Sequence, residues 1–172
     1  MRWTNRIFII LVPILISCDL IDPVFDNILD AEYNDPPALL FNPNNYASST
    51  GKEVDVELYA LKVVDVAGMR ARIIYDDSKL ELLGVSPGEF FSGTESPLFV
   101  YDDDGSGRLD IYSVIMGTEK KVSGSGKIAI IKFFVKRSGE ALLNLSDESQ
   151  LLDTNGNEIE IRSLGQGVIS AQ

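Results

Sequence analysis

Glu53-Val54-Asp55-Val56-Glu57-Leu58-Tyr59-Ala60 alternates polar with apolar side chains, as a β-strand that buries one face requires. Met69, Ala71, Ile73 and Tyr75 alternate with Arg70, Arg72 and Ile74 in the same manner. Outward from these two stretches, apolar runs recur at 80–85, 98–101, 109–115, 128–135, 141–145, 159–161 and 168–169, and Ala38-Leu39-Leu40-Phe41 reads as a first strand. Turn-forming groups separate them: Asp76-Asp77-Ser78, Pro87-Gly88, Gly105-Ser106-Gly107, Ser123-Gly124-Ser125-Gly126 and Asn155-Gly156. About nine short strands with no stretch of helical period between them predict an all-β, antiparallel β-sandwich over residues 38–172.

The chain of 172 residues has room for one such domain and its accessories, and its hydrophobic fraction of 45% supplies a core. The formal charge of -11, or 13 - 26 = -13 once Arg2 and Arg6 are removed, repels a phosphate backbone, so nucleic acid is excluded as a partner. Histidine is missing from the composition, which rules out Ser-His-Asp and Cys-His catalysis and His-ligated zinc. Cys18 is the single cysteine, so the sandwich is not stapled by an internal disulfide.

Two arginines within residues 1–6 precede ten apolar residues, Ile7 to Ile16. At ~1.5 Å per residue that run spans about half of a ~30 Å hydrocarbon core, which predicts a signal peptide over residues 1–17 in place of a membrane-spanning helix. The run ends in Leu15-Ile16-Ser17-Cys18, which resembles the bacterial lipobox, and lipidation is assigned to Cys18. Acyl chains there would hold the domain on a bilayer. Asp19 resembles the inner-membrane retention signal of some enteric bacteria, other phyla read that position differently, and the choice of membrane stays open. Residues 18–37 are acidic and punctuated by Pro23, Pro36 and Pro37, and read as an extended spacer.

Three blocks carry a family likeness: Gly51-Lys52-Glu53-Val54-Asp55-Val56; Ala67-Gly68 leading into Ile73-Ile74-Tyr75-Asp76-Asp77-Ser78-Lys79-Leu80-Glu81-Leu82; and Gly84-Val85-Ser86-Pro87-Gly88-Glu89-Phe90. With Gly126-Lys127-Ile128-Ala129-Ile130-Ile131-Lys132-Phe133 and Gly167-Val168-Ile169, their order and spacing resemble a cohesin domain from about residue 38 to 170. The resemblance implies a jelly-roll sandwich without catalytic activity, related in fold to carbohydrate-binding modules, that binds dockerin modules of polysaccharide-degrading enzymes through one sheet. Type I cohesins commonly carry an Asn and an Asp early in the strand ending in Tyr-Asp; those positions hold Gly68 and Arg70 in this chain, which implies a divergent partner.

Asp102-Asp103-Asp104-Gly105-Ser106-Gly107-Arg108-Leu109-Asp110 resembles a calcium loop. Asp102, Asp104, Ser106 and Asp110 occupy loop positions 1, 3, 5 and 9, with Gly107 at position 6 and the apolar Leu109 at position 8. Ser113 stands where a bidentate Glu is needed and the flanks read as strands, so the competing assignment is a hairpin tip whose glycines supply positive φ. Asp76-Asp77 and Asp153 with Asn155 read as turns in preference to a glycosidase carboxylate pair. The outward residues Arg70 and Arg72, with Arg108, Asp110 and Tyr112, form the candidate partner-binding face, whose basic groups would suit an acidic partner.

The function that follows is a membrane-tethered, non-enzymatic module that recruits a dockerin-bearing protein. The alternatives are direct polysaccharide binding through Tyr59, Tyr101 and Tyr112, since Trp3 lies in the signal segment, or a structural lipoprotein without a specific ligand.

Overall fold

A computed structural model describes residues 35–92, 97–117 and 120–172. The expected signal peptide, Cys18 and all but the last residues of the expected spacer lie outside the described residues. Numbered in chain order, five strands form one sheet in the order β12 (Ser163–Leu164), β1 (Ala38–Phe41), β3 (Glu53–Val66), β8 (Val122–Val135) and β5 (Leu80–Pro87). The other sheet has eight strands. From its edge run β6 (Leu98–Asp103), β7 (Arg108–Val114) and β4 (Gly68–Tyr75). Beyond β4 lie β9 (Gly139–Leu145), β13 (Gln166–Ala171) and β2 (Asn45–Ser48), while β10 (Gln150–Leu152) and β11 (Glu158–Ile159) continue from the Gly68 end of β4.

The sandwich is all-β, as the alternation predicted, and its inner faces are the apolar halves of the alternating strands. Val56, Leu58 and Ala60 from β3 meet Ala71, Ile73 and Tyr75 from β4 in one buried cluster, with Ile131, Phe133 and Leu143 from β8 and β9. The rings of Tyr75 and Phe133 sit 5.1 Å apart at 55°, a favourable tilted aromatic contact that joins the two sheets.

Thirteen strands are described, where the sequence suggested about nine, because β2, β10 and β12 have four, three and two residues, too few to show alternation. Pairing is not wholly antiparallel either: β1 runs parallel to β12, and β2 runs parallel to β13. The chain leaves the five-stranded sheet after Phe41, crosses at Pro43 and joins the other sheet at Asn45, so its first two strands close one end of both layers.

Ser123-Gly124-Ser125-Gly126, expected as a turn, lies inside β8. Opposite it β3 bulges twice, and Lys62 and Asp65 take positive φ values of 48° and 60°. The Ser125 and Ser123 hydroxyls accept the Lys62 and Asp65 N–H groups at 2.9 and 2.8 Å, so the Ser-Gly repeat serves a kinked ladder and not a reversal.

Two stability results follow from the core. Ser113 Oγ is buried on the inner side of β7 without a hydrogen-bond partner. Ser113→Ala removes that desolvated hydroxyl, and chemical denaturation should show a gain of about 1 kcal/mol. Tyr46, on β2, accepts the Glu57 N–H from β3 at 2.9 Å, and burial pushes its pKa up to about 12 from 10.0. A group whose folded pKa is raised supports stability below its unfolded value and loses that support as pH climbs through the folded one. Stability should therefore fall by of order 2 kcal/mol between about pH 10 and 12, with a shallower slope in Tyr46→Phe, as a pH series of denaturation curves would show.

Candidate functional site

The site is the outer face of the eight-stranded sheet, built around β4. Because Met69, Ala71, Ile73 and Tyr75 point into the core, Arg70, Arg72 and Ile74 point out. Across the ladder they stand beside Tyr112, Asp110 and Arg108 of β7. The β6 strand extends these rows with Val100 beside Tyr112 and Asp102 beside Asp110, and Leu98 stands beside Val114. All five residues assigned to a partner-binding face thus share one surface.

Ion pairing organises its centre. Arg72 grips Asp110 through two parallel bonds, Nε to Oδ1 at 2.8 Å and Nη2 to Oδ2 at 3.0 Å, and also contacts the Glu148 carboxylate. Hydrogen bonding to Asp110, together with the charges of Asp110 and Glu148, raises the Arg72 pKa further above its ordinary value. Arg70 donates Nε to the Glu148 carbonyl at 3.1 Å and stands 3.6 Å from its carboxylate. Arg108 lies 3.5 Å from Asp104 and 3.8 Å from Asp110. The three arginines are therefore matched within the face itself, and the expectation that free basic groups draw an acidic partner gives way to a self-neutralised patch.

Beside these ion pairs the face also exposes large apolar side chains. Leu98 (55% exposed), Val100 (48%) and Val114 (40%) cluster at one end, and Ile74 (42%) and Leu142 (45%) lie toward the other. A shallow groove between β4 and β9 is lined by Ile74, Leu142, Asn144 and Glu140. Sequence reasoning missed these five apolar residues because strands apolar on both faces read as buried strands. The available signal was the surplus itself, apolar side chains at outward positions whose inward neighbours already fill the core. Gly68 is buried beside Val114, where a Cβ would make ordinary contacts with Val114 Cγ2 at 3.7 Å and Leu152 Cβ at 3.9 Å.

The acidic loop is a hairpin tip. Asp104 Oδ1 accepts the N–H groups of Ser106 and Arg108 at 2.8 and 3.1 Å, bonds that lower its pKa. Gly107, at a φ of 92°, accepts the Tyr75 N–H, and a Cβ on it would sit 2.4 Å from the Tyr75 carbonyl. Asp102, Asp104, Ser106 and Asp110 do not converge as a ligand set: Asp110 is committed to Arg72 and Asp104 to the turn. Among the described residues no group of three or more acidic side chains gathers as a metal site. Millimolar calcium should leave the melting temperature of the isolated protein unchanged, and a rise lost in Asp104→Asn would contradict that assignment.

Asp153 likewise accepts the N–H groups of Asn155 and Asn157 at 2.8 Å each, and Asp76 accepts that of Ser78 at 3.1 Å, so both segments are turns. The three tyrosines considered for sugar binding do not share a surface. Tyr59 is on the outer side of the five-stranded sheet, Tyr101 is at the β6 edge near Gly84, and Tyr112 is on the outer side of the eight-stranded sheet.

The same fold occurs in known proteins. A non-cellulosomal cohesin from the hyperthermophilic archaeon Archaeoglobus fulgidus superposes with a TM-score of 0.66 at 17% identity, covering 78% of this chain and 90% of that one. The sixth cohesin of Acetivibrio cellulolyticus scaffoldin B, solved in complex with a Cel5 dockerin, gives 0.66 at 16%, covering 78% and 98%. A type I cohesin–dockerin complex from Clostridium thermocellum, Coh-OlpC-Doc435, gives 0.64 at 17%, covering 78% and 94%. Among curated proteins none matches the chain. The family model described as cohesin domain matches residues 42–168, nearly the whole sandwich, and this chain belongs to the cohesin domain family.

Proposed function

We propose that this protein is a surface-tethered docking module that binds a dockerin-bearing protein through the outer face of β4, β6, β7 and β9. One observation carries the reading: five exposed large apolar side chains sit on that face around a bidentate Arg72–Asp110 pair. Apolar anchors surrounded by internally satisfied charges are how protein interfaces obtain affinity without stranding buried charge. With Gly68 and Arg70 where type I cohesins carry Asn and Asp, recognition runs through apolar contacts. The lipobox-like Leu15-Ile16-Ser17-Cys18 supports lipidation at Cys18 and attachment to a bacterial membrane. Partners of this class point to a role in gathering polysaccharide-degrading enzymes. Pull-down from the native organism should recover a dockerin-bearing protein. Recovery of lipoprotein-processing factors alone, or glycan-retarded migration in affinity electrophoresis that is lost in Tyr112→Ala, would favour the alternatives.

A further inference from the structure

Arg72 is held between two carboxylates that come from different parts of the chain. Its Nε and Nη2 go to Asp110 on the neighbouring strand β7, which leaves Nη1. Nη1 donates to Glu148 Oε2, and Arg70 Nη2 stands 3.6 Å from the same oxygen. One carboxylate oxygen thus sits against both arginines. The turn after β9 that carries Glu148 is fastened to β4: the Ser146 N–H donates to the Arg72 carbonyl at 2.9 Å, and the Arg72 N–H donates to the buried Ser149 hydroxyl at 3.0 Å. Arg70 adds Nε and Nη2 bonds to the Glu148 carbonyl at 3.1 and 2.5 Å. These bonds to the main chain place a carboxylate whose side chain is otherwise 57% exposed. An ion pair between two free surface side chains contributes little, but a carboxylate tethered beside its partners competes at high effective concentration.

We propose that Arg70 and Arg72 form a carboxylate-binding subsite on the outer face of the eight-stranded sheet, and that Glu148 keeps it filled and so excludes partners that would place an acidic side chain there. That exclusion rests on the docking reading, whereas the subsite belongs to the free chain. An Asp or Glu of a partner would meet arginines already neutralised and would have to displace a tethered ligand. It would also leave the displaced Glu148 carboxylate beside its own, and like charges brought together at an interface select against the partner that carries them. A neutral or apolar partner surface meets no such penalty. Glu148 therefore sets which charge this part of the face accepts, while the exposed apolar side chains supply contact area.

The test follows the Nε–Hε resonances of Arg70 and Arg72, in the full chain from residue 18, during titration with sodium acetate at constant ionic strength. Glu148→Ala should show saturable shifts at both arginines, with an apparent Kd about tenfold or more below that of wild type, the change expected when a charge-assisted bond is unblocked. In Arg70→Gln/Glu148→Ala the Arg72 response should return toward that of wild type. If the amide resonances of residues 146–149 show that Glu148→Ala loosens the turn, Glu148→Gln should still shift the acetate response in the same direction. Equal responses in wild type and the Glu148 variants would overturn the subsite, whether all bind acetate or none does. A native dockerin that binds wild type should bind Glu148→Ala within about fivefold, as for loss of an exposed charge outside the contact. A larger gain would mean that the dockerin supplies a carboxylate, and a larger loss that Glu148 is itself a contact; either overturns the exclusion. If no native dockerin binds wild type, the docking reading fails and the acetate titration still decides the subsite.

Discussion

Leu98→Asp/Val100→Asp should bind the recovered dockerin partner about 100-fold more weakly, the loss expected when anchors worth roughly 2 to 3 kcal/mol are replaced by charges. Both side chains are about half exposed on β6, so the fold should tolerate the change and the melting curve should stay close to wild type. The control is Val64→Asp, as exposed as Leu98 but on the bulged end of β3 outside this sheet, which should bind like wild type. Calorimetry on the three proteins separates an interface effect from a folding effect. Equal affinities would remove the apolar end of the sheet from the interface.

Phe133→Ala should destabilise the protein by about 3 to 5 kcal/mol, lowering its melting temperature by roughly 10 to 20 °C. The ring is fully buried on β8 and packs in a tilted contact with Tyr75, so its loss opens a cavity between the sheets and removes their aromatic contact. Tyr75 also donates to Asp103 at 2.9 Å and receives the hairpin tip through Gly107, so the β6–β7 hairpin should loosen as well. Denaturation gives the first number, and hydrogen exchange on β6 and β7 reads the second.

The fold was legible because period-two alternation leaves little choice where one face is buried, and β3, β4 and β8 announced themselves in that way. Elements set by long-range geometry were not. β12 has two residues and pairs in parallel with β1, and no local pattern reports a partner more than a hundred positions away. The Ser-Gly repeat at 123–126 has the composition of a turn, yet its hydroxyls serve two bulged amides across the ladder, a role visible only once β3 lies beside it. The site was half legible. Alternation put Arg70, Arg72, Arg108, Asp110 and Tyr112 on one face, but charge pairing decides what such a face presents. Glu148, which meets both Arg70 and Arg72 from the turn after β9, carried no signal in the sequence. Once those arginines are matched, the face presents Leu98, Val100, Val114, Ile74 and Leu142 as well.

The outer face of the eight-stranded sheet is the surface proposed to bind a dockerin. Its most direct measurement is a titration of dockerins from the native organism into the labelled domain, followed through backbone amide resonances. Saturable shifts confined to β4, β6, β7 and β9 are the expected result. Failure of every native dockerin to bind, or shifts that map to the outer side of β3 and β8, would contradict it.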